Sequence, residues 1–198
     1  TLSYGIAGIA DTHTVGFTTT TTAISDSGIV WLVFPSGFDI SGVTNAIYDD
    51  NDPSNDSSEP TVRLISADEN SLLLYLSYGS QQAVPGSRIT LKAWPIVNDT
   101  VAQNNTILVM TTRENSEIVN GPVESAPFQL RPGALHHLRV MPDSAVTVQA
   151  GSFLSIDASG RDAFNNPLSG LTFNFDISVD SCGRMIDSNF QGAKVGNC

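Results

Sequence analysis

Positive charge is what this sequence has least of. It carries 9 lysines and arginines against 20 aspartates and glutamates, a formal net charge of −11, and lysine occurs only at Lys92 and Lys194. Such a surface repels phosphate backbones and anionic lipid, which sets nucleic-acid and membrane-surface roles aside. Long apolar runs are missing too. The longest, residues 29–34, falls far short of the roughly 20 residues that a spanning helix needs, so no transmembrane segment is expected. Helical periodicity is hard to find, beyond a single turn near Ala145 or Ser188.

Cysteine occurs only at Cys182 and Cys198, with no CxxC pair, which removes zinc-ribbon and thioredoxin-like readings. A Cys182–Cys198 disulfide is expected, closing a short loop worth about 3 kcal/mol; the alternative is two buried thiols. Catalytic constellations are also wanting. No GxSxG elbow is present, and no aromatic-rich signal accompanies the carboxylates as a sugar-cleaving cleft would require. Lys92, beside Trp94, has no matched partner for an isopeptide crosslink. No enzyme and no cofactor are expected.

What is there is a folded, hydroxyl-rich chain, 40% hydrophobic and 15% charged, with abundant threonine, serine and asparagine. That balance suits secreted β-proteins. Three N-glycosylation sequons, at Asn55, Asn98 and Asn104, fall in polar segments between strand-like runs and point to an extracellular, cell-surface glycoprotein. The chain opens at Thr1 with no apolar signal segment, so it is expected to be a processed mature protein or a piece excised from a longer one.

Alternation of period two recurs along its length. Leu72, Leu74 and Leu76 form one inward face, as do Ile89, Leu91 and Ala93, then Ile107 and Val109; Val62 and Leu64 repeat the pattern. Residues 29–34 read as a fully buried strand stopped by Pro35, which has no amide to donate. Asp11-Thr12-His13 reads as a separator and residues 117–125 as a linker. Turn residues punctuate the runs at 67–70, 85–86 and 98–104. The fold class is therefore all-β: two antiparallel β-sandwich domains in tandem, at 11–131 and 132–198, joined at Arg131-Pro132-Gly133. In the second, strands are expected at 135–140, 146–148, 153–159 and 171–177, with a weaker one near Met185-Ile186.

LHHLRVMP, VTVQAG and DAFNNP, at 135–142, 146–151 and 162–167, together with Gly183, Ile186 and Asp187, resemble the bacterial Ig-like domains of surface proteins and invasin-type adhesins. Asn165 stands where that family often has glycine, a place a left-handed asparagine can fill. The first half is similar to another surface-protein module: a threonine-rich strand (17–22), a hydrophobic strand ending in Phe-Pro (29–35), then Gly37-Phe38-Asp39. The resemblance implies an Ig-like fold and a surface location, and carries no catalytic residues.

The stretch after the hinge is about two thirds of the roughly 100 residues that a seven-stranded Ig-like domain uses. About five strands can be counted, so the second domain is expected to lack its closing strand or strands. An unfinished sandwich exposes an apolar groove and unpaired edge amides, which an added strand would cover. Residues 1–10 offer a candidate donor, with Leu2, Tyr4, Ile6, Gly8 and Ala10 along one face, as in pilus subunits; equally, they read as the first strand of their own domain. Two functions follow. One is a structural subunit of a head-to-tail, pilus-like filament whose partners are identical subunits. The other is an adhesin segment of a longer tandem array, whose partners are neighbouring Ig-like domains and glycans or a host surface.

Two other clusters invite a metal reading. Asp50, Asp52 and Asp56 lie in an acidic loop that is a weak calcium candidate, without the glycine and final glutamate of an EF-hand. His136 and His137 are adjacent, so on a strand they are expected to point to opposite faces and not share an ion.

Overall fold

The computed structural model describes residues 5–19, 24, 28–48, 60–68, 70–77, 84–115, 117–177 and 182–193, among which there is no helix. The protein is all-β, built from several antiparallel sheets and one small mixed sheet in a β-sandwich fold. Thr1–Arg131 and Pro132–Cys198 are two compact units, divided inside the proline-glycine hinge.

The first unit contains β1 (Gly5–Ile6), β2 (Ala10–Thr18), β3 (Gly28–Val33), β4 (Asn45–Tyr48), β5 (Thr61–Asp68) and β6 (Ser71–Ser77). It continues with β7 (Arg88–Val97), β8 (Asn104–Asn105), β9 (Leu108–Thr112), β10 (Ile118–Glu124) and β11 (Phe128–Arg131). A five-stranded sheet, β10-β9-β3-β6-β5, and a three-stranded sheet, β2-β7-β4, share one core; β1-β11-β8 form a small third sheet.

The core follows from pleat geometry. Successive side chains of β6 alternate in direction, so Leu72, Leu74 and Leu76 all point inward and are fully buried. Each such leucine contributes about 1.5–3 kcal/mol by leaving water. Ile89, Leu91 and Ala93 of β7 do the same from the other sheet. Residues 29–34 differ from expectation: β3 alternates between buried Val30 and Leu32 and half-buried Ile29, Trp31 and Val33. It is central in its sheet, but only one sheet face is packed on the core.

Two other segments also depart from the sequence reading. Asp11-Thr12-His13 is no separator but part of β2, which absorbs the polar residues through a register shift against β7 between Asp11 and His13. Residues 118–124 are no linker but the edge strand β10, whose pairing with β9 shifts register around Asn120 and again before Val123. Gly121 there has φ 87°, and a Cβ would come within 2.6 Å of the Val109 carbonyl oxygen, so only glycine fits.

The second unit contains β12 (His137–Met141), β13 (Phe153–Ser155), β14 (Asp157–Arg161), β15 (Gly183–Ile186) and β16 (Asn189–Gly192). β12 pairs with β14, and β13-β16-β15 form a second small antiparallel sheet. The valine pair Val146 and Val148 forms no strand, and residues 171–177 join no ladder despite their alternation. The turn after β14 does form. Asp162 Oδ1 accepts the backbone N–H groups of Phe164 and Asn166 at 2.9 and 2.8 Å, and Oδ2 accepts Gly133 N–H and Asn166 Nδ2, both at 2.9 Å. Asn165 takes the left-handed conformation, φ 68°.

Candidate functional site

The N-terminal segment is bound into its own unit. β1 runs parallel to β11, with Gly5 opposite Leu130 and Ile6 opposite Arg131. Ala7 N–H donates to Arg131 O at 3.0 Å and Gly8 N–H to Asp99 O at 2.9 Å. The inward residues are Gly5 and Ala7, whereas Ile6 and Ala10 are exposed and Gly8 is half-buried. The face buried in the first unit is thus the opposite one to that carrying Ile6 and Ala10. A Cβ on Gly5 would lie 2.7 Å from Asn98 Nδ2, so only glycine packs there. Gly8, with φ 70°, then breaks the alternation before β2 begins. Leu2 and Tyr4 lie outside the described residues.

Asn98 is the keystone of this arrangement, and sequence reasoning missed it. Its Nδ2 donates to Ile6 O at 3.0 Å, its Oδ1 lies 2.7 Å from His13 Nε2, and its backbone N–H donates to Ile9 O at 3.1 Å. With Nδ2 committed to a carbonyl, Oδ1 faces the imidazole, so Nε2 carries the ring proton. The side chain is buried, 1% exposed, with its nitrogen already donating. Asn98 is therefore not a glycan acceptor in the folded domain, which corrects the sequon reading. Asn104 is exposed on β8 and sterically open to a glycan. Asn55 lies outside the described residues.

His13 sits edge-on to Phe34, Phe38 and Phe128, with ring centroids 5.8, 5.8 and 6.1 Å away. Burial pushes its pKa below the usual histidine value; the Asn98 hydrogen bond and the Asp11 charge oppose this and lose. The unfolded chain consequently takes up this proton first as pH falls. The resulting stability is fully present above the unfolded value of 6.5 and is lost as pH drops towards the folded value. Urea unfolding of the first unit at stepped pH should show stability falling below pH 6.5, by up to about 1.4 kcal/mol per unit from this one group. His13→Gln should flatten that slope.

A groove of about 630 Å³ opens along one side of the first unit between β2 and β10. Val15, Phe17, Val109, Val123 and Phe128 give it apolar walls, and Asn104 and Asn120 add amides. Glu124 is the one ionisable side chain among the described residues lining it, so it holds no acid–base pair.

The second unit presents the opposite of a closed core. Among its described residues Cys182 is the only buried apolar side chain, while Leu138, Val140, Val146, Phe153 and Leu171 are between 39% and 59% exposed. Leu138 and Val140 share one face of β12 with Ala158 and Gly160 of β14 opposite them, and Leu135 and Leu171 lie over Gly160. Cys182 is not a free thiol; Cys198 lies outside the described residues, so the Cys182–Cys198 bridge stays an expectation. Asp50, Asp52 and Asp56 are likewise outside, and the described residues gather no group of three or more histidine, cysteine or acidic side chains. His136 and His137 do not diverge: their Nδ1 atoms are 3.3 Å apart. No helix among the described residues is long and apolar enough to cross a membrane. No family model and no curated protein matches the chain.

Proposed function

We propose that the chain is a structural, non-enzymatic segment of an extracellular surface protein, in which Ig-like β-sandwich modules follow one another in tandem. The second unit is completed by a β-strand from a neighbouring module. The observation that carries this reading is the exposed apolar surface of the second unit: among its described residues Leu138, Val140, Val146, Phe153 and Leu171 stay between 39% and 59% exposed, and Cys182 is the only buried apolar side chain. An added strand would pair with the edge of β12 that no described residue occupies and bury Leu138 and Val140. Acidity and hydroxyl-rich composition fit an exterior setting, and adhesion through exposed loops fits such an array.

The pilus-like filament is the second reading, with residues 1–10 of one copy completing the next. The cis pairing of β1 with β11 favours the tandem array, because donation would first strip those hydrogen bonds from the first unit. Deleting residues 1–10 separates the two. The tandem reading expects a first unit destabilised by about 2–3 kcal/mol from lost hydrogen bonds, with self-association unchanged. A filament subunit would instead lose its polymers under the electron microscope while the first unit stayed stable. If the full chain binds no apolar dye and the second unit unfolds as a well-packed domain, the open face is not there and both readings fall.

A further inference from the structure

His136 and His137 lie at the entry to β12, and their geometry is that of a chelate. β12 begins at His137, so His136 stands one residue before the regular strand, its backbone N–H donating to Arg161 O at 2.8 Å. The two rings nonetheless turn towards each other. Their planes are 88° apart, their centroids 5.6 Å and their Nδ1 atoms 3.3 Å apart, and both residues are exposed. Two nitrogens bound to one cation at about 2.0–2.1 Å lie roughly 3.3–3.4 Å apart in a tetrahedral shell and roughly 2.8–3.0 Å apart in the square-planar shell that Cu²⁺ prefers, a closure of a few tenths of an ångström for two exposed rings. The rings are thus already spaced for a shared ion.

We propose that His136 and His137 form a two-nitrogen site for an imidazole-seeking transition cation, each ring giving Nδ1 and water completing the coordination shell. By the usual order of divalent affinities Cu²⁺ binds ahead of Zn²⁺. One Nδ1–H now donates to the other Nδ1; on binding, the donor ring moves its proton to Nε2 and coordinates as neutral imidazole. Two cations bound the site. Arg161 is opposite His137 in register, but its guanidinium donates to Asn165 O at 3.1 Å; Arg139 follows on the same strand face. They keep the site open to modest affinity and exclude a buried, structural role for the metal.

The test uses the full chain and Cu²⁺ itself. The sequence has 3 histidines, and the remaining one, His13, is buried in the first unit, so histidine ring signals report the site without ambiguity. Calorimetry should show one Cu²⁺ per chain, with the His136 and His137 ring signals broadening together and His13 unchanged. His136→Ala and His137→Ala should each weaken binding by about tenfold or more, since either leaves one ligand and no chelate. Both residues are exposed, so neither variant disturbs folding. Single variants that bind as tightly as the parent would overturn the proposal, as would Cu²⁺ uptake that leaves both ring signals sharp.

Discussion

Asp162→Ala unfolds the second unit and leaves the first intact. Asp162 is 1% exposed and accepts four hydrogen bonds, which tie Gly133 at the start of the unit to the turn at 162–166. Burial pushes its carboxyl up, but the Asn166 amide and the backbone N–H groups of Gly133, Asn166 and Phe164 outweigh it and hold the pKa below the usual carboxylate range. Truncation strands these donors and costs about 4 kcal/mol, since bonds to a charged acceptor are the stronger kind. With one buried apolar side chain among its described residues, the second unit has little to set against that loss. Amide hydrogen exchange resolved by unit should show protection vanish across 132–193 and persist in β3, β6 and β7. The carboxylate's contribution is present above the unfolded value of 3.8 and is lost as pH falls through the lower folded value. Asp162→Asn should retain part of the network, because one oxygen still accepts. Retained protection in the alanine variant would remove the turn from the unit's stability.

Asn98→Ala is the corresponding test in the first unit. It leaves His13 Nε2–H and Ile6 O without partners in a water-poor site and opens a cavity beside Gly5. The expected cost is about 3 kcal/mol, read as a lower urea midpoint at unchanged slope. The same variant should loosen residues 5–7 and speed their exchange, because the lost side chain holds them through Ile6 O, while the backbone N–H of residue 98 keeps its bond to Ile9 O. A merely surface-exposed, glycosylated asparagine would tolerate alanine within about 0.5 kcal/mol.

Asn98 also marks where sequence reading stops. The alternation of β6 and β7 is written locally, residue by residue, and so is the Asp162–Asn166 turn with its left-handed asparagine. The alliance of Asn98 with His13 joins residues 85 positions apart, and a sequon reads the same whether its amide is solvated or buried. β10 hides behind Gly121 and Pro122, which look like loop residues until register shifts accommodate them on an edge. The reverse error occurs at Val146 and Val148 and along residues 171–177. There the side-chain pattern is that of a strand, but a strand also needs a neighbour to receive its amides, and pattern alone does not supply one. His136 and His137 failed for a third reason: long side chains at a strand's entry can swing together, and their Nδ1 atoms end 3.3 Å apart although the residues are neighbours in sequence.

The parallel pairing of β1 with β11 has a mechanical consequence. The first strand of the unit enters at one end of this pair and the last strand leaves at the other, because the two run in the same direction. Tension between the ends of the unit therefore slides β1 along β11. The hydrogen bonds around Gly5, Ile6 and Ala7 are strained together, not opened one at a time as in an antiparallel hairpin pulled from its ends. Asn98 grips Ile6 from the side and adds to the resistance. Force applied across the first unit meets its first obstacle at this short ladder, with the β6 and β7 core behind it.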